Sequence, residues 1–347
     1  MSKAKQKREK IFNMYAQNLS WIKENPKITF KPDFAEGYIC PLCLQIFTRD
    51  SLNASLTNHL SIEHNPPRSL GGKSEILTCK ECNSKAGHQL DNHLLNQLLA
   101  LDFMEGNPHS AIRARLNSDV YQVTSNLTIT SDGTYHINID SKNSHPAHVK
   151  NFLQNRSYSF IVTDHFLNNE KQQLGTNWNL KFSLFPHILP NERFSAISLL
   201  KIAYLITFQV FGYIFIINPH LCKVREQIRN PEKDILPKVF WLKYDFPDEA
   251  LGINIINRPA ELVCILVVFD LVTPSSNRRF AIALPGLNKS ANQIYEHIEN
   301  ILCKEGGATE LNLEHIPAGN YIKKKESAYE LIHYWQQLVP LENKSCP

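Results

Sequence analysis

The chain has 347 residues, 43% of them apolar and 20% charged, with a formal net charge of +4 and a pI near 8.5. That composition excludes a disordered or low-complexity polymer, and the length excludes one minimal domain; at roughly 150 residues per domain it suits two. The modest positive balance favours a polyanionic partner without requiring one.

In chain order, residues 1–33 read as a basic lead-in. Lys3, Lys5, Lys7, Arg8 and Lys10 precede Ile11, Phe12, Met14, Tyr15 and Trp21, which are available for packing. No apolar run of the secretory kind follows the cations, so a cytoplasmic chain with reduced thiols is expected. An ordered module is predicted over 34–106. It closes on a helix in which Leu90, Leu94, Leu95, Leu98, Leu99 and Leu101 recur at helical spacing, with Gly106 and Pro108 stopping it.

Residues 120–347 read as a larger α+β domain. Leu127–Thr130 and Tyr135–Ile139 alternate around Ser131-Asp132-Gly133, a hairpin signal. Further strands are predicted at 159–163, 239–244, 262–269 and 280–284, and helices near Asn292–Leu302 and Ser327–Leu338. Between them, Ser195–Asn218 is almost continuously apolar and long enough to span a bilayer. It holds Lys201 and Gln209, and a lysine at the centre of a span costs about 3 kcal/mol. A buried core helix is therefore expected, and no membrane.

Four of the eight cysteines form two Cys-x-x-Cys pairs, Cys40/Cys43 and Cys79/Cys82. Two such knuckles offer four thiolates to one tetrahedral zinc. With all four positions filled by protein, that zinc is structural and leaves no site for water. Cys222, Cys264, Cys303 and Cys346 are scattered and read as buried free thiols.

Between and just after the knuckles lie Glu63-His64, Pro66-Pro67, Gly71-Gly72 and Cys82-Asn83. In order, spacing and residue type, Tyr38 to Leu95 resembles the HNH endonuclease family, whose members share a ββα-metal fold. The resemblance implies hydrolysis of phosphodiester bonds. It makes His64 the general base, and Glu63 and Asn83 the ligands of a catalytic Mg²⁺ or Mn²⁺ ion. The residue types suit that chemistry: an imidazole accepts a proton near neutrality, and carboxylate and amide oxygens suit a hard cation. Strand alternation sets Glu63 and His64 on opposite faces unless the strand ends there, and Pro66-Pro67 is read as ending it. The Gly71-Gly72 pair would let the loop turn tightly beside a phosphate.

One departure stands out. The family's middle asparagine, which braces the metal loop, is replaced here by Ser74, expected to brace it more weakly or to leave that task to a backbone group. His88 and Asp91, three apart on the helix, are candidates for supporting the metal site, although a solvated histidine and a surface aspartate fit the same spacing. Arg68, Lys73 and Lys85 are candidate phosphate contacts, whereas Lys80 and the Lys323-Lys324-Lys325 run read as solvated. Double-stranded DNA is the expected substrate and a homodimer the expected way to cut two strands. Residues 120–347 are expected to recognise a target, a partner protein or a regulatory ligand, as in effectors of bacterial defence or restriction. The competing expectation is a non-catalytic zinc-ribbon module that only binds nucleic acid or protein; Glu63, His64 and Asn83 argue against it.

Overall fold

The computed structural model describes residues 3–26, 28, 30, 34–117, 122–154, 181–184, 191–237, 241–242, 245–286, 291–302, 309–317, 319 and 321–338. The chain packs into two compact units, and neither is continuous in sequence: residues 1–91, 196–271 and 278–347 make the first, and 92–195 with 272–277 the second. This partition differs from the linear one expected. The reason is that the long apolar helix returns to pack on the N-terminal module.

In the first unit, α1 (Lys3–Lys23) carries Ile11, Phe12, Tyr15, Leu19 and Ile22 on one buried face. The basic lead-in is thus a core helix as well, because apolar residues at helical spacing sit beneath its cations. Two short strands, β1 (Tyr38–Ile39) and β2 (Ile46–Phe47), pair across the first knuckle. The hairpin of β3 (Leu60–Asn65) and β4 (Ser74–Cys79) follows and leads directly into α2 (Lys80–Ala86). This is the expected ββα order.

A π-helical turn over Gly87–Asp91 continues α2. The leucine-rich helix of the second unit, α3 (Asn92–Met104), starts after it. Next come β5 (Ala111–Asn117), β6 (Gln122–Ile129), β7 (Tyr135–Ile139), α4 (Pro146–Gln154) and β8 (Lys181–Leu184). The strands form an antiparallel sheet in the order β7-β6-β5-β8. Ala114, Leu116, Val123, Leu127 and Ile129 pack with Phe103 as the core of this unit. The β6–β7 hairpin falls where predicted. Asp102 is buried and accepts hydrogen bonds from the hydroxyls of Thr273, Ser275 and Ser276.

The chain then runs through α5 (Glu192–Phe211), α6 (Tyr213–Ile216) and α7 (Cys222–Arg229). The strands β9 (Trp241–Leu242), β10 (Gly252–Arg258), β11 (Cys264–Val272) and β12 (Asn277–Pro285) follow, then α8 (Ile294–Leu302), β13 (Asn312–Ile316) and α9 (Lys325–Leu338). A five-stranded sheet has the order β13-β10-β11-β12-β9. The strands expected at 262–269 and 280–284 are β11 and β12. The one at 159–163 lies outside the described residues, as do all but Trp241 and Leu242 of 239–244. Helix α5 is long and apolar enough to cross a membrane, but 78% of its apolar window is buried within the protein, as a core helix should be. Cys264 is a buried free thiol, whereas Cys222 is disulfide-bonded, contrary to the free thiol expected. Cys303 and Cys346 lie outside the described residues.

Candidate active site

The four knuckle cysteines converge. Their sulfur atoms all lie within 4.8 Å of one another, and Cys43 Sγ is 3.8 Å from Cys79 Sγ. A tetrahedral zinc with bonds of about 2.3 Å has sulfur–sulfur edges of roughly 3.8 Å, so the donor set fits the ion in kind and in size. Local backbone builds each knuckle. Leu44 takes a left-handed φ of 60° to turn the first, where Cys40 N–H donates to Gln45 O. In the second, Cys79 caps α2 by accepting from the Cys82 N–H at 3.4 Å. Cys79 is the last residue of β4, so a single ion would tie strand, helix and first knuckle together.

Aromatic side chains back this arrangement. Tyr38 Oη donates to Leu77 O at 2.6 Å, fixing β1 to β4. Tyr213 Oη accepts from Ile39 N–H at 2.9 Å, and Tyr204 Oη donates to Pro41 O at 2.8 Å. The first knuckle is therefore held by residues more than 150 positions away.

Antiparallel register places His64 opposite Glu75 on the β3–β4 hairpin, and His64 Nε2 lies 3.2 Å from Glu75 Oε1. The imidazole is part-exposed, at 33%, while Glu75 is largely covered, at 12%. Lys7 of α1 also reaches Glu75, at 2.6 Å. A carboxylate on one ring nitrogen sets the tautomer, leaving Nδ1 as the proton acceptor. Glu75 escaped the sequence reading; only the strand register reveals it.

Asn83 stands on α2 and donates through Nδ2 to Ser61 Oγ at 3.0 Å and to Ile62 O at 2.9 Å. It fastens the helix to β3. Strand β3 continues through Asn65, so alternation turns Glu63 away from His64. Glu63 is buried, and its Oε1 accepts from Lys201 Nζ at 2.8 Å. Lys201, fully buried on α5, also donates to Asp91 Oδ2 at 2.6 Å, and Ser198 Oγ donates to Asp91 Oδ1 at 2.7 Å. Burial pushes the Glu63 carboxyl up. Burial alone would depress Lys201, but the charges of Asp91 and Glu63 outweigh it and raise the ammonium above its ordinary value. Removing one partner of such a buried pair costs about 3–5 kcal/mol, because it leaves an uncompensated charge.

The remaining expected residues fall as follows. Asp91 belongs to the Lys201 network, whereas His88 is exposed; the π-helical turn changes the helix phase, so the two are not brought together. Ser74 is exposed at the start of β4, opposite Asn65. Arg68 and Lys73 are exposed around the Gly71-Gly72 turn. A Cβ on Gly72 would meet Pro66 O at 1.6 Å, so this glycine serves the closure of the loop on itself. Lys85 is exposed, with Nζ on Arg229 O at 2.5 Å.

The ββα unit thus joins a cysteine quartet fit for zinc to a hairpin that carries His64 one residue from its turn. Residues 40–99 match the family model described as HNH endonuclease. No curated protein and no solved structure matches the chain significantly.

Proposed function

We propose that the chain is a metal-dependent endonuclease that hydrolyses phosphodiester bonds of double-stranded DNA. The observation that carries this reading is the part-exposed His64, held by Glu75 on a hairpin whose sequence matches the HNH family model. The imidazole Nδ1 takes a proton from a water molecule. The water oxygen attacks phosphorus, and the bond to the leaving oxygen breaks. Arg68 and Lys73 on the neighbouring turn are the proposed phosphate contacts.

Structural zinc is the proposed ion of the cysteine quartet. For the catalytic cation, Glu63, Asp91 and Asn83 offer hard oxygen donors of the kind Mg²⁺ and Mn²⁺ take. Such an ion supplies charge stabilisation at the scissile phosphate. Homodimerisation for two-strand cutting, a cytoplasmic setting and a role in defence or restriction belong to the same proposal.

The test is incubation of the purified protein with supercoiled plasmid in Mg²⁺ or Mn²⁺, beside His64→Ala. Nicked or linear product from the parent alone is expected; equal cleavage by both would remove His64 from its role. A second reading, a zinc module that only binds, draws on the locking of Glu63 by Lys201. It predicts DNA binding with no product under either metal.

A further inference from the structure

Helix α5 places a cation at the module's inner carboxylates. Lys201 Nζ sits 2.8 Å from Glu63 and 2.6 Å from Asp91, with its side chain wholly shielded from solvent. Ser198, one turn earlier on the same helix, holds the other oxygen of Asp91. One ammonium against two carboxylates leaves a negative charge uncompensated within this group. A further oxygen donor stands close by: Asn65, two residues beyond Glu63 and therefore on the same strand face, is buried. Its Nδ2 donates to Ile202 O, beside Lys201, while its Oδ1 has no hydrogen-bond partner among the described residues. Two carboxylates and a vacant amide oxygen are donors that a divalent ion takes, and such an ion would balance the charge.

We propose that Lys201 is an internal counter-ion occupying the cation position at Glu63 and Asp91 in the resting enzyme, so that a divalent ion binds there only by displacing it. This rests on the nuclease reading of the same module. Helix α5 is then a restraint as well as a core element: its lysine must leave the carboxylates before metal enters.

The test uses the zinc-loaded full-length chain and Mn²⁺ as the probe. Mn²⁺ binding is followed by calorimetry and by electron paramagnetic resonance in wild type and Lys201→Met. The variant is expected to bind one Mn²⁺ at least tenfold more tightly, and its lowered melting temperature should recover on adding Mn²⁺. Equal affinity in the two proteins overturns the proposal. Should the variant not fold, the wild-type chain decides the matter by acetylation of Lys201, mapped by mass spectrometry. Protection without Mn²⁺ and reaction at Mn²⁺ saturation supports displacement; unchanged protection at saturation overturns it. Plasmid nicking is measured alongside. Nicking with equal Mn²⁺ affinities removes the counter-ion and leaves the nuclease. Tighter Mn²⁺ binding by the variant with no nicking by either protein keeps the counter-ion and removes the nuclease.

Discussion

Glu75 and Lys201 share one property: each reaches a residue singled out by the motif from a place the motif does not include. Glu75 lies eleven positions past His64 and meets it only because the β3–β4 register pairs them. Lys201 is 138 positions from Glu63. The knuckle cysteines, His64 and Asn83 were legible because their spacing is short and chemical. The partners of His64 and Glu63 were not, because strand register and helix docking are set by the whole packing. If Glu75 fixes the imidazole tautomer, Glu75→Gln lowers the cleavage rate by about 10- to 100-fold, by analogy with carboxylates that orient metal-ligating histidines. Zinc content should stay unchanged. A rate equal to wild type would make Glu75 merely the partner of Lys7.

Among the elements, those with regular patterns were read correctly and those with mixed patterns were not. The β6–β7 hairpin announced itself through alternation and Asp132-Gly133. Strand β5 alternates Ile112, Ala114 and Leu116 with arginines, and alanine and arginine favour helix as readily as strand. Strand β13 is mostly exposed and carries little apolar signal, while β10 loses its alternation at Ile255-Ile256. The hairpin turn also has an electrostatic signature. Hydrogen bonds from Thr130 and from the Thr134 backbone lower Asp132 from 3.8 to about 2. A carboxyl lowered in the fold stabilises the turn above its unfolded value, and that contribution is lost as pH falls through about 2. Exchange protection of the Thr134 amide should therefore hold at pH 5 and fade near pH 2. In Asp132→Asn the protection should be lower at pH 5 and nearly independent of pH.

Across the molecule, the segment that matches the HNH model is not a detachable bead. Its first knuckle, its hairpin and its inner carboxylates all lean on α5 and α6, within a unit assembled from three stretches of chain. The sequence suggested a clean boundary after Gly106 because leucine periodicity ends there, and periodicity is blind to packing between distant segments. Truncation after residue 106 removes the partners of Ile39, Pro41, Glu63 and Asn65. The fragment is expected to melt at least 10 °C below the full chain or to aggregate, as followed by circular dichroism. A fragment as stable as the parent would show that the later segments add nothing to the module.

The discontinuity of the first unit also has a consequence in time. A ribosome working at about 5–20 residues per second finishes the motif roughly 5 to 20 seconds before it reaches Lys201. Throughout that interval Glu63 and Asp91 lack the lysine that α5 will bring them, and cations of the surrounding solvent can reach them before it does.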